Sequence, residues 1–354
     1  MTRALVVRLD SAGDVLLAGP AVRAVAAGAD EVVMLCGPQG APAAHLLPGA
    51  DSVLTWACPW IVDPAPDTTR EHLDELELLL ARVSPIDVAV ILTSFHQSPL
   101  PLALLLRLAG VPRIVGASTD FAGSLLDVRL KPGEDLDEDQ PEPERALAIA
   151  AAGGFTLPAG DDGRLAVDPI SDASPLVGEE PYIVVHPGAS VPAREWPATH
   201  HRDLVALLAE QGHRVVVTGA PAERELTRFV AGEHGLDLGG RTKLPVLADV
   251  LRRARVVVTG NTGPAHLAAA VGAPIVSLFS PVVPAVRWAP YRTRVELLGD
   301  QGAACAGSRA RVCPVPGHPC LSSVTAEDAL AACERLMAAD AAKPRHPMVE
   351  EVAR

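Results

Sequence analysis

Short segments with chemically capable residues follow apolar runs at several points along this sequence. The first is Asp10-Ser11-Ala12-Gly13-Asp14. Gly13 allows a sharp backbone turn, and Asp14 falls at or near a helix start. Asp14 is either a helix N-cap or a carboxylate that faces a cleft as a general base. The second is His186-Pro187-Gly188-Ala189-Ser190, followed by Arg194-Glu195-Trp196-Pro197. Its Gly-Ala-Ser turn offers N–H groups and a hydroxyl to phosphate oxygens, and Ser190 supplies that hydroxyl. The Arg194 guanidinium can hold a diphosphate at two points. The competing reading is an ordinary strand-to-helix loop with a surface arginine.

The third segment, Thr259 to His266, is the most specific. A strand runs through Gly260 and Asn261 into Thr262-Gly263-Pro264, with Pro264 in the first turn of an Ala-rich helix, where its missing N–H costs little. Free N–H groups at Thr262 and Gly263 would form an anion site at a helix N-terminus. His266 has two readings, a phosphate contact or a core histidine that fixes the loop. In the fourth, Gly219-Ala220-Pro221-Ala222-Glu223, the Glu223 carboxylate can accept from ribose hydroxyls or simply favour a first helical turn. Glu225 competes with it for the ribose role. The motif GxGxxG is absent, which disfavours a nicotinamide or flavin dehydrogenase.

The elements that must position these residues follow a repeated strand–helix rhythm. Strands are expected at 4–9, 31–35, 87–92 and 113–116, and helices at 15–27, 101–109 and 145–152. After an acidic, Pro-rich stretch at 131–144, expected as a mobile, solvated loop, and a Gly/Pro/Asp-rich stretch at 157–181, the rhythm restarts. Strands are expected at 182–185, 214–218, 256–259 and 275–279, with helices at 201–211, 221–232, 245–254, 262–271 and 326–337. The fold class is therefore α/β with two domains, residues 1–165 and 166–340, and a polar tail at 341–354. The second stretch is read as the linker; its alternative is a long loop inside one domain.

A chain of 354 residues exceeds one usual domain, and 49% apolar residues suffice for real cores. The formal charge of −13 excludes a non-specific nucleic-acid binder. All but three of the 30 basic residues are arginine, which points to a GC-rich genome. The start of the chain lacks a signal-peptide core, and the apolar run near 99–106 is too short to span a membrane. The expected location is the cytoplasm. Six cysteines in this length do not make a disulfide scaffold.

These segments together resemble glycosyltransferase family 9, the ADP-heptose:lipopolysaccharide heptosyltransferases and their relatives, over residues 3–337. The resemblance rests on RLDSAGDVL from Arg8, RLAGVPRIVG from Arg107, HPGAS with REWP, NTGPAHLAAAVGAP from Asn261, and SPVVP from Ser280. It implies a GT-B fold, two Rossmann-like domains facing across a cleft. The acceptor would bind mainly to the first domain, with Gly13 and the His96 loop on its side, and the sugar nucleotide mainly to the second. It implies inversion at the anomeric centre, no bound metal and no cofactor. Asp14 takes the place of the base, and Ser190 and the Thr262-Gly263 turn those of the diphosphate contacts. Arg194 stands where relatives usually have Lys, and Glu223 matches the ribose acid loosely.

Asn261 stands where relatives commonly carry an Asp that contacts sugar hydroxyls, which opens the donor sugar to another hexose or heptose. Cys305, Cys313 and Cys320 keep part of a family cysteine pattern, with Ser308 in the remaining place; a loop-stabilising role is expected in preference to zinc. The implied partners are a nucleoside-diphosphate sugar, ADP-heptose first, and a glycan, lipid or small-molecule acceptor, with no nucleic acid and at most peripheral membrane contact. A catalytically degenerate nucleotide-sugar-binding protein and a sugar-nucleotide epimerase are the alternatives.

Overall fold

The computed structural model describes residues 1–62 and 64–341. The expected tail therefore lies, beyond Ala341, outside the described residues.

Apolar runs rich in Val, Ile and Leu form two all-parallel six-stranded sheets, whose central strands are buried on both faces. The first sheet contains β1 (Arg3–Arg8), β2 (Glu31–Cys36), β3 (Ser52–Thr55), β4 (Val88–Ile91), β5 (Arg113–Ala117) and β6 (Val128–Leu130). The second contains β7 (Ile183–His186), β8 (Val215–Val217), β9 (Gly235–Asp237), β10 (Val257–Gly260), β11 (Ile275–Leu278) and β12 (Val295–Leu298). Their orders are β3-β2-β1-β4-β5-β6 and β12-β11-β10-β7-β8-β9. Each is the Rossmann order, and the order reverses between β1 and β4 in one sheet and between β7 and β10 in the other. Ligands in such sheets bind beyond the carboxyl ends of the strands at that reversal.

Several expectations change. The helix expected at 15–27 is two, Ala12–Leu17 and Gly19–Ala26, with Ala18 between them and Pro20 near the start of the second. Pro20 lacks the N–H that would continue the ladder of the first. The sequence reading missed β3, β6, β9 and β12, short strands with half-exposed residues that leave little periodic signal, and the helix Arg70–Ala81, which buries only Leu76 and Leu80.

The stretch 131–144 is a loop as far as Pro141, with residues 133–135, Asp137 and Asp139 exposed, but it is not solvated throughout. Leu136 and Glu142 are buried, and Glu138 and Glu142 are ion-paired to Arg145, Arg8 and Arg287. Its acidic composition matches buried arginines, so burial follows from pairing where composition alone suggested solvation. The stretch 157–181 runs between the two sheets as an extended strap. Leu165 and Val167 are buried, the Asp168 N–H donates to the Leu46 carbonyl, and the Ser171 N–H donates to the Pro245 carbonyl.

Candidate active site

Both reversal points open onto one cavity of about 850 Å³ between the sheets. The loops after β1 and β4 form one wall, and those after β7, β8 and β10 form the other. Gly13, Asp14, His96, Ser190, Arg194, Glu223, Asn261, Thr262, Gly263 and His266 all line it. Glu225 does not; it is exposed on the helix that follows Glu223.

Asp14 is not the N-cap. Ser11 holds that position with an extended backbone, and Asp14 lies in the first turn. The Ser11 hydroxyl donates to Asp14 Oδ2 at 2.8 Å. Arg8, the last residue of β1, donates through Nη2 to Asp14 Oδ1 at 2.9 Å and to Ser94 Oγ at 2.9 Å. Arg8 Nε lies 2.8 Å from Asp10 and Nη1 lies 3.5 Å from Glu142. Burial works to raise the Asp14 pKa, but the Arg8 charge, the Ser11 hydrogen bond and His266 outweigh it, so the carboxyl sits below its ordinary value. Burial, partly offset by Arg8, leaves the Asp10 carboxyl above its ordinary value. One arginine thus stands between two carboxyls whose pKa values move apart. Asp14 keeps 21% of its side chain open to the cavity and is ionised at neutral pH.

Gly13 is helical and takes no special turn conformation. Its role is close approach: an added Cβ would lie 3.0 Å from His266 Cδ2 and 3.4 Å from Gly263 Cα. The helix Gly263–Ala270 of the second sheet thereby points its first turn at Asp14. Thr262 caps that helix with an extended backbone and no side-chain bond to its amides. Those N–H groups suit an anion.

His266 lies on the Gly263–Ala270 helix. It is buried, yet it lines the cavity. Its Nδ1 has no hydrogen-bond partner, and burial lowers its pKa to about 4, so the ring is neutral. Asn261 is likewise buried with its Nδ2 unpartnered. A buried donor without an acceptor is costly unless a ligand supplies one.

Arg194 lies in a short 3-10 turn, Pro192–Arg194, and its Nε is also unpartnered. Burial lowers its pKa, with Arg309 and Arg311 adding to the effect. The Trp-Pro pair after it anchors this loop: Trp196 Nε1 donates to the Val324 carbonyl at 2.9 Å, and its ring meets His201 edge-on. Glu223 is occupied locally. Its Oε2 accepts from the Ala220 N–H at 2.6 Å, and an added Cβ on Gly188 would fall 2.1 Å from its Oε1. The glycine is what lets the carboxylate into the wall. His96 sits at the mouth, where desolvation, then Arg309 and Arg8, lower its pKa to about 4.

Sequence reading had Arg8, Asp10, Ser94 and His186 inside its segments without a role of their own, and it missed Trp288, Arg309 and Arg311, which also line the cavity. Arg8 carried a signal, a charged residue that follows the apolar run of residues 4–7 at the end of β1. His186 ends β7, where Nδ1 is 2.9 Å from Thr218 Oγ1 and burial lowers its pKa. Arg309 and Arg311 lie on a loop distant in sequence, and nothing local marks them. Cys305 and Cys320 are both buried. Among the described residues the cysteines are free, and no group of His, Cys, Asp or Glu is arranged to hold a metal ion.

Residues 96–318 match the family glycosyltransferase family 9 (heptosyltransferase). The chain belongs to glycosyltransferase family 9. It is similar to lipopolysaccharide heptosyltransferase 1 of Pseudomonas aeruginosa, 32% identical over 225 residues that cover 62% of each protein. It also resembles lipooligosaccharide heptosyltransferase 2 of Haemophilus influenzae, 34% identical over 117 residues, covering 31% of this chain and 34% of that protein. The chain thus spans about a third to 62% of the length of these relatives.

The fold matches the family 9 glycosyl transferase structure from Veillonella parvula at TM-score 0.78 and 17% identity, covering 96% of this chain and 98% of that one. It matches ADP-heptose lps heptosyltransferase II of E. coli at 0.74 and 20%, covering 96% and 100%. The fold is GT-B, with two Rossmann-like domains across a cleft.

Proposed function

We propose that this chain is an inverting, metal-independent glycosyltransferase. It moves a heptose or related sugar from a nucleoside diphosphate, ADP-heptose first, to a hydroxyl of a glycan, lipid or small molecule. The observation that carries this reading is that an ionised Asp14 on one sheet faces the anion-binding start of the Gly263–Ala270 helix on the other, across one cavity. The relatives' names, heptosyltransferases all, support the choice of sugar.

In this reading the diphosphate lies against Ser190, Arg194 and the Thr262-Gly263 turn, in the domain of residues 166–340. The acceptor enters beside His96 and Gly13, in the domain of residues 1–165. The acceptor oxygen attacks the anomeric carbon from the face opposite the diphosphate. Asp14 takes the hydroxyl proton as the new C–O bond forms and the bond to the diphosphate oxygen breaks. The charge that grows on the leaving group meets Arg194 and the helix amides, fixed donors that need no reorganisation. Glu223 presents a carboxylate to ribose hydroxyls, and Asn261 Nδ2 donates to the sugar. Among the described residues no helix is long and apolar enough to cross a membrane. We place the reaction in the cytoplasm, with peripheral contact if the acceptor is a lipid.

The test is thermal unfolding with ADP, UDP, GDP and dTDP and their sugar conjugates, with and without Mg²⁺. A ligand at 100 times its Kd adds about 2.7 kcal/mol. A metal-independent shift with ADP and ADP-heptose is expected. No shift with any nucleotide overturns the reading and favours a degenerate fold.

A further inference from the structure

The charges behind Asp14 do not stop at its own domain. Glu142 is buried with Arg8 Nη1 at 3.5 Å on one side and Arg287 Nη1 at 3.2 Å on the other. Arg8 belongs to the first sheet, whereas Arg287 lies in the turn Ala285–Trp288 between β11 and β12 of the second. Arg287 also pairs with Glu138 at 2.5 Å. A second route runs through the loop after β4: the Arg287 guanidinium lies 4.4 Å from the Phe95 ring, and the neighbouring Ser94 accepts from Arg8. Arg287 of the second domain therefore reaches Arg8 indirectly, through Glu142 and through the Phe95-Ser94 loop, and Arg8 is the group that holds Asp14 Oδ1.

We propose that Glu142 and Arg287 are positioning residues for Asp14, so that the carboxylate is held and tuned through Arg8 only while the second domain is in place. This rests on the base role of Asp14 given above. The physical reason is charge balance in a site closed to water, where each charge acts on the others at low screening. Arg8 shared among Asp10, Asp14 and Glu142 is a weaker partner for Asp14 than Arg8 alone. Arg287 draws Glu142 toward itself and returns part of Arg8 to Asp14. Opening of the cleft would break the Glu142–Arg287 pair and loosen the hold on the base, which makes the base ready only in the closed form.

The charged and titratable groups around Asp14 are Arg8, Asp10 and Glu142 on its own side, His96 at the mouth, and Arg194 and His266 across the cleft.

The test uses the full chain, aspartate-labelled with ¹³C, without ligand. The carboxyl signals of Asp10 and Asp14 are assigned by their loss in Asp10→Asn and Asp14→Asn, and the pair is titrated as one system. Glu142→Gln removes a negative charge and should lower the midpoints. Arg287→Met removes a positive one and should raise them, each by about half a unit or more. The double variant should return toward wild type. Midpoints that stay put, or move the same way in both single variants, overturn the proposal. Arg287→Lys keeps the charge and should leave the midpoints in place; movement there also counts against it. Glu142→Gln is isosteric and serves alone if Arg287→Met does not fold. The titration needs no substrate, so it stands apart from the donor assignment. Failure of the base role shows separately, as transfer that survives Asp14→Asn.

Discussion

Gly13 and His266 come from opposite sheets and meet at the floor of the cleft, where a methyl group on Gly13 would lie 3.0 Å from His266 Cδ2. The contact sets how near the Asp14 helix comes to the Gly263–Ala270 helix. A side chain at position 13 requires the His266 ring or the Gly263 backbone to give way.

Gly13→Ala should therefore push the two helices apart. Overpacking of this kind costs about 1–3 kcal/mol, and nucleotide affinity should fall with it. The same substitution made in a His266→Ala background should cost less, because the two sites share one contact. Chemical denaturation and ADP titration of the four proteins would check this. Equal cost in both backgrounds would show that the contact is not what Gly13 serves.

Asp14→Asn keeps the volume and the Ser11 neighbourhood but cannot take a proton. Transfer should drop by about 10²–10⁴-fold, while ADP binding, assigned in the proposed function to the opposite wall, should stay as in wild type. Product formation and calorimetry separate the two effects. Undiminished transfer would remove Asp14 from the base role.

Arg194→Ala should weaken ADP binding by about tenfold or more, since a hydrogen bond to a charged partner contributes about 1.5–3 kcal/mol. Arg194→Lys should recover part of this and not all, because an ammonium cannot hold two phosphate oxygens in a planar fork. Affinity measured at two salt concentrations gives a second check: the loss should shrink as ionic strength rises.

Stability should fall with acid in a defined window. His266 and His201 are buried and neutral, with pKa values lowered by burial to about 4 and about 3. In the unfolded chain an imidazole protonates near 6.5. Between those values the unfolded state binds the proton and the folded state does not, so stability rises with pH across that range. Cooling of the melting midpoint should begin as pH drops below about 6.5 and continue toward 4, at a cost of about 3 kcal/mol for each imidazole. His266→Asn should flatten part of the slope. An unchanged slope would mean that His266 carries a charge in the folded protein.

The local patterns were legible where one element decided them. Val and Ile runs ended at Gly-rich turns, and those turns lie at the carboxyl ends of β1, β7, β8 and β10, where the cavity opens. Strands such as β6 and β9, three residues each with half-exposed side chains, left too little periodicity to read. The acidic stretch at 131–144 misled because composition cannot show that Arg145 and Arg287 wait for its carboxylates.

By itself the sequence determined the repeated strand–helix order, the parallel sheets that order compels, the Gly-rich loops and the family. These depend on neighbours a few residues apart, where propensity and turn chemistry act. The tertiary structure alone decided which groups share a charge. Arg8, Ser94, Glu142 and Arg287 are scattered over the chain, yet Ser94 and Glu142 both meet Arg8, and Arg287 meets Glu142. It also decided that Gly13 serves packing and not a turn, and that Asp14 follows the cap. Electrostatic coupling depends on distance and burial, and neither is fixed until the two sheets close on each other.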